Sequence, residues 1–196
     1  MPLESTRRFL GRWSSAGSQM SAHGMSRSGG RRRRFAIASL VAVAIALIDQ
    51  ATKAAALMYL SENERIPLLG DLLGLQLAFN PGTVMSLGSN TTWVFTLLGI
   101  LASIALFVAA ARAPSTPWAV AIGFVWGGAV GNLTDRLLAA PGFGRGHVTD
   151  FLAYANLFIG NLADIALGVG VGLGILLSMR SEQPQQRAEV SERSAE

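Results

Sequence analysis

The sequence contains no cysteine, and only two of its 196 residues are histidine, His23 and His147. The first absence removes disulfides, thiolate metal ligands and a cysteine nucleophile together. The second leaves too few imidazoles for a conventional zinc site, so neither a metal nor a cofactor is expected. Charge is also scarce: Asp, Glu, Lys and Arg make up 14% of the chain against 51% hydrophobic residues, and the mean hydropathy is +0.40. Such values describe an integral membrane protein better than a soluble domain.

The pI near 10.6 is not a nucleic-acid signature. Arg7, Arg8, Arg12, Arg27 and Arg31 to Arg34 all precede the first apolar run instead of covering a folded face. A polybasic segment beside a membrane helix fixes orientation and meets anionic lipid. Thr6-Arg7-Arg8-Phe9-Leu10 has a twin-arginine look, but no apolar core follows until Phe35. Residues 1–34, rich in Ser, Gly and Arg, are expected to form a disordered cytoplasmic tail, and the polar stretch 180–196 a second one.

Between the tails, four segments are long enough to span, given a requirement of about 20 residues. They run from Phe35 to Leu60, from Trp93 to Ala111, from Pro117 to Leu138 and from Leu157 to Met179. Arg112 with Pro114 and Pro117 makes a tight turn between the second and third. Twelve of the 16 Lys and Arg residues fall on the side of the two tails and Arg112. The positive-inside rule makes that side the cytoplasm, and the loops 61–92 and 139–156 then face outward.

An Asp inside a membrane helix costs about 2.5–3.5 kcal/mol on insertion scales, so chains that keep one there generally use it. Here Gly131-Asn132-Leu133-Thr134-Asp135 and Gly160-Asn161-Leu162-Ala163-Asp164 are near-copies of one pentapeptide. Asp49, Asp135 and Asp164 each lie 15 to 18 residues from the cytoplasmic end of their segment. At a helical rise of about 1.5 Å per residue this is roughly 22–27 Å into a core about 30 Å thick. Three carboxylates on three helices thus converge near the outer surface, and Asp150 at the end of the outer loop can reach the same level.

Asp49 and Lys53, four apart, share a helix face and pair as a salt bridge. The alternative use of Lys53, activating Ser86 as a Ser-Lys dyad, requires a juxtaposition that nothing in the sequence supplies. In each pentapeptide the Asn and Asp are three apart, so one face carries an amide beside a carboxyl group. Two such faces build either a polar pocket or interhelical hydrogen-bonding glue, the glycines allowing close approach. Arg136 either snorkels to the interface or holds a substrate carbonyl or carboxylate. His147 reads as a loop residue. Leu73, Leu75, Leu77 and Phe79 alternate with Gly74, Gln76 and Ala78, the pattern of a strand with one apolar face, and Asn80-Pro81-Gly82 supplies a turn. That strand belongs to a small sheet on the outer leaflet or is an amphipathic connector.

Two carboxylates held close in a low-dielectric site share a proton: one remains an acid, the other an anion. The anion takes a proton from attacking water while the acid polarises a peptide carbonyl, which is aspartic-protease chemistry and needs no serine, cysteine or metal. Depth alone pairs Asp135 with Asp164. A small proton-coupled transporter uses the same residues in another way, with carboxylates spread along a path across the bilayer, and a structural membrane subunit uses them in none.

The motifs, in order, are Asp49-x-x-Thr52-Lys53, Phe79-Asn80-Pro81-Gly82-x-x-x-Ser86, Gly127-Gly128-Ala129-x-Gly131-Asn132-x-x-Asp135-Arg136, His147-Val148-Thr149-Asp150-Phe151 and Asn161-x-Ala163-Asp164. Together they resemble the lipoprotein signal peptidase, or signal peptidase II, family over residues 35–179. The resemblance implies an all-α membrane protein with four transmembrane helices and a small extracytoplasmic β-sheet platform, in the bacterial cytoplasmic membrane with both termini cytoplasmic and the site near the outer leaflet. It implies an aspartyl endopeptidase that removes signal peptides from diacylglyceryl-modified prolipoproteins, cutting before the lipidated Cys. Asp150 and Asp164 then become the catalytic pair, and Asp49, Lys53, Asn80, Gly82, Asn132, Asp135, Arg136 and Asn161 support them or position substrate. The chain departs from the family pattern at Gly160, where an aromatic residue is common, at Thr83-Val84-Met85 and at Thr149, and in the short stretch between Asp150 and Asn161.

Overall fold

The computed structural model describes the backbone of residues 4–82 and 91–193 and the side chains of 29–82 and 91–180. In chain order the elements are α1 (Glu4–Tyr59), β1 (Ile66–Leu69), β2 (Leu73–Asn80), α2 (Thr92–Ala111), α3 (Thr116–Leu138), β3 (Val148–Tyr154), β4 (Phe158–Gly160) and α4 (Leu162–Arg193). The backbone of both tails continues as helix where composition predicts disorder. Each tail adjoins a long apolar helix, which supplies the costly helical nucleus that the tail alone lacks.

Gly29–Tyr59, Thr92–Ala111 and Leu162–Arg180 are long and apolar enough to cross a membrane. Helix α3 falls short of that measure for a structural reason. It packs against α1, α2 and α4, so its sequence contains glycine and polar residues where a lipid-facing helix carries leucine. Ser115 caps it, its hydroxyl accepting the Trp118 N–H at 3.5 Å, and Pro117 sits in the first turn, where its missing N–H costs nothing.

The packing is that of a membrane protein, small residues inside and large ones out. Among the described residues every buried apolar side chain on a helix is alanine, including Ala38, Ala42, Ala119, Ala163 and Ala166, whereas Leu40 and Leu47 are 72% and 66% exposed. With lipid tails as apolar as leucine, close van der Waals approach of backbones holds the helices together. Gly123, Gly127 and Gly131, four apart on α3, form the face against α1. A Cβ on Gly127 would stand 2.7 Å from the Ala42 carbonyl oxygen, and one on Gly131 2.6 Å from an Asp49 carboxylate oxygen. Gly128 faces the other way, where a Cβ would meet the Ala163 carbonyl of α4.

All four strands join one antiparallel sheet in the order β1-β2-β3-β4. The strand expected over Leu73 to Phe79 is β2, although a bulge between Leu75 and Ala78 breaks its strict alternation. The fourth apolar segment differs from expectation. The apolar run predicts helix from Leu157, but Phe158–Gly160 pairs with β3 and the helix starts only at Leu162. The short apolar run Leu157 to Gly160 fits either state; the turn at Ala155, with φ 47°, folds it back onto β3.

Gly127→Val places new atoms against backbone that cannot yield, and we expect it to lose about 1–3 kcal/mol. Gly168→Ala, where a Cβ meets nothing within 4 Å, serves as the neutral control. Thermal unfolding in detergent distinguishes the two.

Candidate active site

The C-terminal ends of α1 and α3, the N-terminus of α4 and the sheet meet at one place. At its centre is Lys53, 2% exposed. Its ammonium lies 2.8 Å from Asp49 Oδ2, 2.9 Å from Asp135 Oδ2 and 2.9 Å from Asn132 Oδ1, three acceptors for three protons. The expected Asp49–Lys53 bridge is therefore one arm of a cluster joining α1 to α3. A lysine with all its N–H groups committed in this way has no free lone pair with which to activate a serine; Ser86 itself, with Thr83-Val84-Met85, lies outside the described residues.

Asp49 and Asp135 are further tied to backbone. Asp49 Oδ1 accepts the Ala163 N–H at 2.9 Å, satisfying an amide in the first turn of α4 that has no partner within its own helix. Asp135 Oδ2 accepts the Thr149 N–H at 3.0 Å, which fixes the start of β3 against α3. Gln50, not singled out from the sequence, donates to Asp135 Oδ1 at 3.0 Å and to the Gly131 carbonyl at 3.1 Å, with a longer contact to Asp49 Oδ2 at 3.3 Å. Its only sequence signal is a polar side chain next to Asp49 in an apolar run.

The second pair of carboxylates has no ion-pair partner among the described residues and is faced by amides. Asn161 Nδ2 donates to Asp150 Oδ1 at 2.6 Å, and Asn132 Nδ2 donates to Asp164 Oδ1 at 3.0 Å. Asn80 also hydrogen-bonds Asp150. The sheet register accounts for this contact: Ala78 lies opposite Asp150, so Asn80, two residues on, is its diagonal neighbour on the same face. Asp150 is 3% exposed. Burial, helped by the nearby Asp164 charge and opposed by the Asn161 and Asn80 hydrogen bonds and by Lys53, pushes its carboxyl up to about 6. Asp164 is exposed at the mouth of the same site.

The two pentapeptides do different jobs. Asn132 and Asp135 lie within α3, as their spacing predicts. Asn161, by contrast, precedes the first residue of α4 and caps it: its Oδ1 accepts the Asp164 N–H at 3.1 Å while Asp164 Oδ2 accepts the Asn161 N–H at 3.1 Å. This reciprocal capping box makes Asn-x-Ala-Asp a helix start, correcting the expectation of one continuous helical face. Gly160 lies against this box, where a Cβ would stand 2.9 Å from Asp164 Oδ2.

Arg136 does not snorkel freely. Its guanidinium lies 5.3 Å from the Phe95 ring centre, in the field of Asp150 and Asp135, and its Nη1 is buried with no hydrogen-bond partner among the described residues. Gly82, with φ 89°, packs on the same Phe95 ring and donates its N–H to Asn80 Oδ1 at 2.8 Å, so Asn-Pro-Gly is a turn that holds Asn80 in place. His147 is a loop residue just before β3, its N–H bonded to the Ala140 carbonyl. Among the described residues no cluster of His, Asp and Glu is arranged to hold a metal ion.

The helices and the small sheet around a buried carboxylate centre place this fold with solved membrane enzymes. A solved bacterial membrane enzyme determined by the in meso method matches this fold with a TM-score of 0.63 at 26% identity, covering 74% of this chain and 88% of the other. The family model for signal peptidase (SPase) II matches residues 41–180. A lipoprotein signal peptidase of Leifsonia xyli is 46% identical over 145 residues, covering 74% of this chain and 67% of that protein. One from Bifidobacterium longum is 45% identical over 155 residues, covering 79% and 85%. The chain belongs to the signal peptidase II family and is a membrane aspartic peptidase. The transporter alternative finds no support among these relatives.

Gln50→Leu leaves a carboxylate oxygen and a carbonyl short of a donor, and we expect a loss of about 1–3 kcal/mol. Gln50→Glu, which adds a third carboxylate beside Asp49 and Asp135, is expected to cost more. Unfolding midpoints in one detergent rank the two variants.

Proposed function

We propose that Asp150 and Asp164 are the catalytic pair and that the chain removes signal peptides from diacylglyceryl-modified prolipoproteins, cutting before the lipidated Cys. One observation carries the choice of pair. Of the four carboxylates gathered here, Asp49 and Asp135 are held by Lys53, whereas Asp150 and Asp164 face amide donors and, among the described residues, form no direct ion pair.

In this reading Asp164, exposed and accepting an N–H on each oxygen, takes the anionic role. Asp150, buried, holds the proton. Water attacks the scissile carbonyl carbon and gives one proton to Asp164, while Asp150 protonates the carbonyl oxygen. As the gem-diol collapses, the C–N bond breaks, Asp164 passes its proton to the departing amine, and a diol hydroxyl returns a proton to Asp150. The pair ends as it began. The Nη1 of Arg136, without a partner among the described residues, is a donor available to hold a backbone carbonyl of the substrate.

Helix α3 counts as the fourth crossing, completing a four-helix domain over 35–179 between cytoplasmic tails. The arginine-rich stretch and Arg112 fall at the opposite ends of α1 and α2–α3 from the carboxylates, which supports a site at the outer leaflet. An apolar groove of about 260 Å³ between the end of α1 and the sheet, lined by Ala55, Ala56, Tyr59, Leu75 and Phe151, suits an acyl chain or the apolar signal segment.

Asp150→Asn and Asp164→Asn are each expected to abolish cleavage of a diacylglyceryl-modified prolipoprotein by purified, folded enzyme, with the unlipidated precursor uncut by wild type. Normal cutting by either variant would falsify the assignment. Because Asp150 acts as the acid, kcat/KM is expected to fall as pH rises through about 6. Asn80→Ala removes a hydrogen bond that favours ionised Asp150, so that descending limb should move to higher pH; a shift to lower pH counts against Asp150 as acid.

A further inference from the structure

The three asparagines around the carboxylates share a feature that no motif reveals. An amide side chain can present either its oxygen or its NH₂ to a neighbour, and only the surrounding donors and acceptors decide which. In each case here a group that can only donate occupies the oxygen. The Gly82 N–H holds Asn80 Oδ1 at 2.8 Å, and the Asp164 N–H holds Asn161 Oδ1 at 3.1 Å. Both are local contacts, built into a turn and a helix cap. Asn132 lies in the middle of a helix, where backbone N–H groups are already used. Its oxygen is held instead by the Lys53 ammonium at 2.9 Å and by Asn161 Nδ2 at 3.1 Å, and its NH₂ is turned to Asp164 Oδ1 at 3.0 Å.

We propose that Lys53 is a positioning residue of the reaction: by donating to Asn132 Oδ1 it fixes the amide so that Nδ2 faces Asp164. The inference rests on the peptidase reading above and adds a role to a lysine that otherwise looks like a salt-bridge partner. Its three protons are all committed, since Asp49 and Asp135 take the other two, and the side chain is buried. The charge cluster thus sets the direction of a hydrogen bond one residue further on. Without Lys53 the Asn132 oxygen loses its charged donor and the amide is held only through Asn161. A flipped Asn132 would present oxygen to oxygen at Asp164, withdrawing the donor and repelling the anion.

A double-mutant cycle tests this. Wild type, Lys53→Met, Asn132→Ala and the double variant are assayed for kcat and KM on a diacylglyceryl-modified prolipoprotein, with unfolding midpoints measured alongside. Loss of one hydrogen bond to an ionised group predicts a fall in kcat of about 10- to 100-fold for each single variant, with KM little changed. The double variant should be no slower than the slower single one, because both remove the same interaction. Multiplying losses, or a Lys53→Met variant that unfolds more readily yet keeps full kcat, would overturn the inference. Should Lys53→Met fail to fold, Lys53→Met with Asp49→Asn and Asp135→Asn removes the uncompensated charges and keeps an oxygen for the Ala163 and Thr149 N–H groups, and the same cycle with Asn132→Ala is run in that background. Cleavage by wild type together with its loss in Asp164→Asn upholds the peptidase reading independently, so additivity in the cycle then defeats only the role of Lys53. An inactive wild type defeats both.

Discussion

One ammonium group holds the functional end of this molecule together. Lys53 is surrounded by two carboxylates and an amide oxygen, each within 2.9 Å. Burying any one of these charges alone would cost several kcal/mol, and the arrangement is tolerable only because every proton and nearly every lone pair finds a partner. Gln50, the Ala163 N–H and the Thr149 N–H complete it, and these contacts link α1, α3, β3 and α4. The elements that carry Asp150 and Asp164 are therefore docked by polar contacts, while the apolar surface of the helices is left to the lipid.

Close helix packing is the condition for that cluster. Lys53 on α1 reaches Asn132 and Asp135 because Gly123, Gly127 and Gly131 let α3 approach without side chains between the two backbones. Gly131 is the point where packing and chemistry meet: the space its missing Cβ leaves is taken by the Asp49 carboxylate, and its carbonyl accepts from Gln50. The same economy of side chains explains why α3 is less apolar than its neighbours. A helix surrounded by helices needs small residues and hydrogen bonds more than it needs leucine.

Much of this was legible in the chain. Composition and Lys/Arg placement indicate a membrane protein, the apolar runs mark both ends of α2 and α3 and the end of α1 to within one residue, and the Asp49–Lys53 spacing predicts a real ion pair. The alternation over Leu73 to Phe79 marks a real strand. Less legible were features that depend on partners distant in sequence. Periodicity extended α4 back to Leu157, because four apolar residues do not distinguish a strand from a helix turn; pairing with β3 does. The twin pentapeptides look equivalent, yet one lies within a helix and the other begins one, a difference set by the hairpin that precedes Asn161. Gln50 carried no motif and became visible only when α3 was placed beside it.

Insertion cost and helical periodicity act on local stretches of chain, so the residues alone indicate that this chain enters a membrane, where α2 and α3 run and which few polar residues matter. It also carried the ordered motifs of signal peptidase II. Only the tertiary structure divided four carboxylates of the same residue type into two tied to a lysine and two facing amides. That division depends on which acceptors surround Lys53 and on which way three asparagine side chains are turned. Such choices are made by contacts between residues about 80 to 115 positions apart, such as Lys53 with Asn132 and Asp49 with Ala163, and come into being only when the helices pack.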